Sequence, residues 1–323
     1  MTSFELSPGI VVDPDRSEVY LMSPDGGIDA VDLGNGAAVW HSQEVAKPLT
    51  VFGNLLIGQA EPEGPGSELD IVALDTRQGG APVTRSRVGL PPGVRAGTHQ
   101  GANASFTAHA EAVGADIAVS WEFLERPLRG IQTGPLEILP GEEAPAGVSA
   151  DETPAIEEPG AELVVARGAV RVGLADGTVS RLEPPPAESF PEPTPITPSS
   201  QAPDLATEDQ LPDLPAPQFL AADGSHVLIS ERIGDDSVWE KWLWRIFERS
   251  TARPVGAVRS HARFAPFFVT ESQIVHLVEP HGHLVDDALV DEPMQIRAAD
   301  LQTGESLWSQ PLRDLTDREA PPP

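Results

Sequence analysis

The chain has 323 residues, 40% of them hydrophobic, with 50 acidic against 21 basic side chains and a net charge of −29. Only Lys47 and Lys241 are lysines, and there is no cysteine. That balance excludes the cationic patch of a nucleic-acid binder, opposes contact with anionic membranes, and removes disulfides, thiolate metal sites and cysteine nucleophiles together.

The N-terminal stretch MTSFELSPGIVVDPDRSEVY lacks a basic n-region and an apolar run of signal length. The expectation is a chain that stays in the bacterial cytoplasm, with no membrane insertion. GIVVDPDRSEVYLMS then reads as two strands joined at Pro-Asp-Arg-Ser, and AVDLGNGAAVW as a second pair turning at Gly-Asn-Gly. Within the latter, Ala30, Asp32, Gly36 and Trp40 define an Ala-x-Asp-x3-Gly-x3-Trp spacing. Each position has a structural task. The small Ala suits a crowded face, the Asp accepts backbone N–H groups in the turn, the Gly takes positive φ, and the Trp lies over the next unit with its N–H on a carbonyl.

The spacing recurs. PLTVFGNLLIGQ turns at Gly53-Asn54 and is followed by Ala73, Asp75 and Gly79, with Val83 where the Trp falls. ASFTAHAEAVGADIAVSWEFL turns near Gly114 and is followed by a shortened copy, AVRVGLADGTVSRLE. QFLAADGSHVLISERI turns at Asp223-Gly224 and precedes a worn copy at Ile246, Glu248, Ala252 and Gly256. APFFVTESQIVHLVE precedes a full copy at Ala298, Asp300, Gly304 and Trp308. Four short strands in meander order per unit is the pattern of a propeller blade.

The motif resembles that of the PQQ-like β-propeller repeat family. The likeness is strong in the first and last units, fair in the second and weak in the third and fourth. It covers most of the chain outside the Pro-rich segments. It implies an all-β fold, a single propeller domain over 1–314 with blades at about 8–45, 46–92, 101–185, 217–260 and 262–314. Five four-stranded antiparallel blades are counted; six to seven is the alternative, and the family more often has seven or eight. A WD40-like repeat is the nearest description of the architecture. The family's quinone-dependent dehydrogenases use a quinone, a calcium ion and a catalytic Asp. None of these residues transfers to a position here, and no cofactor is expected. An outer-membrane assembly lipoprotein is a rival in the same family, against which the absent signal and lipobox cysteine weigh.

Two segments break the blade rhythm. The acidic insertion 131–166 has no Lys or Arg, and the Pro-rich linker from Glu183 to Pro217 holds 11 prolines. Proline removes ladder donors and fixes φ, so the linker reads as extended and solvated, with PEPTPITP as a docking candidate. A tail covers 315–323.

Chemistry is sparse. His276, His281, His283, Asp286 and Asp287, with Glu279, Asp291 and Glu292 nearby, form a candidate divalent-metal set in one hairpin of the last unit. A polar surface loop accounts for the same letters. A five-bladed glycosidase would use carboxylates at its axis; no carboxylate here stands alone in an apolar strand, and Asp116, Glu122 and Glu231, each beside a strand, come nearest to that. Trp239, Trp242 and Trp244 form an aromatic cluster suited to inter-blade packing, or to binding if Trp239 is exposed. The reading is a non-catalytic scaffold for an unidentified protein partner. The alternative is an enzyme with an axial site, quinone-dependent or glycoside-cleaving.

Overall fold

A computed structural model describes residues 3–62, 68–97, 104–125, 164–184, 210–215, 217–233, 242–285 and 288–313, with backbone alone for 164–165 and 281–292. Segments 131–163, 185–209 and 314–323 lie outside the described residues, and with them Trp239, Asp286, Asp287 and PEPTPITP.

The described residues form five antiparallel meander sheets, the arrangement of a five-bladed β-propeller. Sheet 1 holds β1 (Phe4–Ser7), β2 (Ile10–Asp13), β3 (Glu18–Met22), β4 (Ile28–Asp32) and β5 (Ala38–Ser42). Sheet 2 holds β6 (Lys47–Phe52), β7 (Leu55–Gln59), β8 (Glu68–Asp75) and β9 (Ala81–Gly89). Sheet 3 holds β10 (Ala104–Val113), β11 (Asp116–Glu125), β12 (Val164–Gly173) and β13 (Val179–Leu182). Sheet 4 holds β14 (Phe219–Leu220), β15 (His226–Arg232), β16 (Trp242–Glu248) and β17 (Arg253–Ser260). Sheet 5 holds β18 (Phe267–Val269) and β19 (Gln273–Val278), then β22 (Gln295–Asp300) and β23 (Ser306–Pro311). A separate hairpin, β20 (His281–Val285) with β21 (Ala288–Glu292), is inserted between β19 and β22.

Apolar packing runs between sheets, as expected where both faces of a blade are covered. One core cluster joins sheets 4, 5 and 1 around Trp244, Phe267 and Trp308. A second joins sheets 1 and 2 around Tyr20 and Leu56, and a third joins sheets 2 and 3 around Ile57, Phe106 and Trp121.

The repeated motif is the device that joins neighbours. Asp32 Oδ1 accepts the N–H groups of Gly34 and Asn35, and Asp300 Oδ1 accepts those of Gln302 and Thr303. Gly36 and Gly304 follow with φ 72° and 74°. The glycine is needed twice over, because the preceding blade leans on it. A methyl at Gly36 would lie 2.6 Å from Trp308 Cγ, and one at Gly80 would lie 2.5 Å from Trp40 Cζ3. Trp308 also donates its Nε1–H to the Leu33 carbonyl at 3.2 Å, closing sheet 5 on sheet 1.

Register shows a feature that spacing does not. Opposite the motif's first residue, the outer strand carries one extra residue, a β-bulge, in sheets 1, 2, 4 and 5. The extra residues are Val39, Val83, Val255 and Leu307. Val39, Val83 and Leu307 are 51%, 54% and 51% exposed. The residue that pairs with the motif Ala is Trp40 or Trp308, but in sheet 2 it is Thr84, not Val83. A 3-10 turn at Thr76–Gln78 lengthens that hairpin and moves the covered glycine from Gly79 to Gly80. Thr84 does what the indoles do: its Oγ1 donates to Leu174 O at 2.9 Å, and its methyl faces Gly177 of sheet 3. In sheet 4 the glycine position is Ala252, held at φ 55°, and the indole position is Gly256, where the sheet 5 backbone comes close enough for Ala257 N–H to bond Leu301 O at 3.2 Å.

Candidate functional site at the propeller axis

The first strand of each meander (β2, β6, β10, β14 and β18) is its innermost. Sheet 1 alone among the described sheets has a further strand inside it, β1, which occupies the axis. β1 pairs with β2 through Phe4↔Val12, Glu5↔Val11 and Ser7↔Ile10, with a register shift between Glu5 and Ser7. Its side chains reach three other blades. Ser3, at its start, accepts Val51 N–H of β6 on its Oγ at 2.9 Å and stands 3.3 Å from Thr50 Oγ1. Phe4 meets Phe268 of β18 edge-on, with centroids 5.5 Å apart. Glu5 places a carboxylate oxygen 3.6 Å from His109 Nδ1 of β10. Leu6 is buried in the core shared by sheets 4, 5 and 1.

Beside β1 lies a cavity of about 440 Å³, bounded by β1, β6 and sheet 3, which it crosses from the inner strand β10 to the outer strand β13 along the row His109, Ser120, Ala169 and Leu182. Its polar lining comes from the hydroxyls of Ser3, Thr50 and Ser120, the carboxylates of Glu5, Glu111 and Glu183, and the His109 imidazole. Leu49, Val119, Leu182 and small alanines supply its apolar part. Polar and apolar residues share this lining about equally, unlike the predominantly apolar pockets that enclose small organic ligands. Lys47, at the start of β6, is only 5% exposed. Burial pulls its ammonium pKa down, and the Glu5 carboxylate works against that shift. Glu5 thus sits in the field of a buried lysine and against a histidine.

The sequence-derived candidates fall elsewhere. His276 lies on β19 and is buried between sheets 4 and 5, with Nδ1 3.1 Å from Leu277 O and its ring 5.0 Å from that of Trp244. Burial pushes its pKa down to about 4, and the charges of Arg297 and His261 push the same way. His281 and His283 lie on β20, opposite Glu292 and Val290 of β21. Among the described residues no group of three or more His, Asp or Glu side chains stands close enough to hold a metal ion. Trp244 is fully buried and donates Nε1–H to Ala262 O at 3.0 Å; Trp242 is half-buried against the same core. Of the carboxylates singled out, Glu122 is buried and paired with Arg167, Glu231 is paired with Arg245 at 3.0 Å, and Asp116 opens β11 at the hairpin end.

Sequence reasoning missed β1, Glu5, Lys47 and His109. The one available signal was FELS directly before the first meander, an alternating four-residue segment with no partner strand of its own in the repeat count.

Comparison with protein-family models and with curated proteins finds no match. Among solved structures, the chain is similar to a europium-containing methanol dehydrogenase, with TM-score 0.24, 12% identity, and coverage of 94% of this chain and 68% of that one. It is also similar to the β-propeller domain of Cps50 (Swd1) from Myceliophteria thermophila, with TM-score 0.24, 12% identity, and coverage of 92% and 81%. A quinohemoprotein alcohol dehydrogenase from Pseudomonas putida HK5 gives TM-score 0.22 and 12% identity over 91% of this chain and 57% of that one. At these values the likeness adds nothing to what the sheet topology shows.

Proposed function

We propose that the chain is an interaction scaffold that presents the cavity running from the axial strand β1 over sheet 3 to a protein partner. The observation that supports this reading is the way the axis is filled. The chain's own strand lies along it, and the concavity left beside that strand is lined by hydroxyls, carboxylates and an imidazole from sheets 1, 2 and 3. Glycoside cleavage calls for two carboxyls facing each other across about 5–10 Å of open cleft. Glu122 and Glu231 are engaged by Arg167 and Arg245, which leaves Glu5, Glu111 and Glu183 of the cavity as the carboxylates to test for such a pair. The acidic surplus of the chain favours a partner of opposite sign and speeds its approach at low salt.

A photo-crosslinking residue placed at Ala118, in the cavity wall, tests the reading against one placed at Val83, on the rim. The expected result is a discrete protein adduct from position 118 that Ser120→Trp abolishes. Adducts from position 83 alone would move the partner to the rim and end the axial reading.

A further inference from the structure

β1 is a strand that the blade plan does not require. The other four sheets are complete with four strands, whereas sheet 1 carries a fifth on the inner edge of β2. An inner strand edge offers main-chain donors and acceptors to any extended segment, and alternate side chains then select among segments. The receptors for such side chains are already visible, because the chain fills them itself. A hydroxyl is received by Val51 N–H and Thr50. An aromatic ring is received by the face of Phe268. A carboxylate is received by His109, and an aliphatic side chain enters the core of sheets 4, 5 and 1.

The occupant's main-chain pairing is short for an internal strand, although its side chains are anchored on other blades. It spans four residues and makes three register pairs with β2, with a shift between the second and the third. Short, sparsely paired elements open at free energies far below that of global unfolding. Tethering compensates by keeping the strand at an effective concentration on the order of millimolar.

We infer that the axial groove along β2 is a peptide-binding site for extended segments of the pattern hydroxyl–aromatic–carboxylate–aliphatic, which residues 3–6 of this chain occupy in cis and which a segment of a partner protein enters by displacing β1. The inference rests on the reading above that a protein partner approaches beside β1, and goes beyond it by placing that partner's segment where β1 now lies. Strand replacement forms and breaks no covalent bond; one set of ladder hydrogen bonds is exchanged for another.

The test uses the full chain and a fluorescein-labelled peptide of sequence TSFELSPG. In the wild type the tethered strand competes, so fluorescence anisotropy rises only at high protein concentration. In Phe4→Ala, where the tethered strand loses its ring contact, half-saturation falls at least tenfold. The same peptide with its Phe replaced by Ala does not saturate. A second arm avoids substitution: a protease site is inserted between Pro8 and Gly9, the folded chain is cut, and native mass spectrometry follows the severed strand. Replacement of that strand by the labelled peptide is the expected result. The inference is overturned if the severed strand departs and no peptide takes its place, or if it stays against a hundredfold excess of peptide. A concentration-dependent dimer in place of peptide capture would overturn it too, by making a second copy the occupant. Failure of peptide exchange with the position 118 adduct intact removes strand displacement alone; loss of both removes the axial reading as well.

Discussion

The junction between sheets 5 and 1 and the junction between sheets 2 and 3 solve one problem with different side chains. At the first, Trp308 covers Gly36 and its indole N–H reaches Leu33 O. At the second, Thr84 covers Gly177 and its hydroxyl reaches Leu174 O. Both residues stand at the same register position, opposite the first residue of the motif and after a bulge. What repeats in sheets 1, 2, 4 and 5 is therefore a backbone arrangement: a bulged outer strand leaning on the next blade. The indole is one way to fill it, with large apolar area and a polar tip; a threonine is another, with less of both.

The comparison breaks most visibly at Trp308. Trp308→Ala removes a 9% exposed indole and its hydrogen bond, and should cost about 3–5 kcal/mol, read as a lower urea midpoint. A loss below about 1 kcal/mol on the same scale would mean that this junction is not where the ring is held.

The next effect concerns the junction between sheets 4 and 5, where His276 is packed against Trp244. Its folded pKa of about 4 lies below the ordinary histidine value of 6.5, so the unfolded chain binds the proton first as pH falls. The contribution of the neutral ring is complete above pH 6.5, declines between 6.5 and 4, and is level below 4. At about 1.4 kcal/mol per pH unit the whole window amounts to about 3 kcal/mol. Replacing His276 by Leu should flatten the urea midpoint across that window, leaving the fall below pH 4 that belongs to carboxylates such as Asp300 and Asp176, whose pKa values are lowered chiefly by turn N–H groups. An unchanged slope in the variant would assign the acid sensitivity to other groups.

Thr84→Ala tests the smaller latch. It deletes one partly buried hydrogen bond and one methyl contact, and about 1 kcal/mol is expected. If it costs as much as Trp308→Ala, side-chain area is not what distinguishes the two junctions. The smallest effect has the opposite sign. Ala252 sits at φ 55° in the place of the motif glycine. Ala252→Gly should stabilise by about 0.5–1 kcal/mol, seen as a small rise in the urea midpoint, because the strain of a Cβ in the left-handed region is removed.

Much of the fold was legible in the letters. The turns at Gly53, Gly114 and Gly224, each between the first two strands of its sheet, all carry positive φ, and the Asp of each full motif accepts the N–H groups of its own hairpin, within three residues. The position of Thr84 was not legible, because a one-residue shift in pairing follows from the 3-10 turn ahead of it, and a fixed count from Asp75 lands on Val83. The axial site was less legible still. Ser3, Phe4 and Glu5 find partners at Val51, Phe268 and His109, and no periodicity connects those positions.

The sequence by itself determined the parts governed by short hydrogen bonds and by alternation of apolar residues: the meanders, their turns and the recurrence of the unit, while the count of five came from the sheets themselves. Those interactions close within one hairpin, so their signature is local. Only the tertiary structure decided that FELS becomes an axial strand, that the outer strands bulge at Val39, Val83, Val255 and Leu307, and that Lys47, Glu5 and His109 share one electrostatic neighbourhood. Each of these depends on the edge or turn of another strand being in place first, and a chain read one residue at a time carries no record of that.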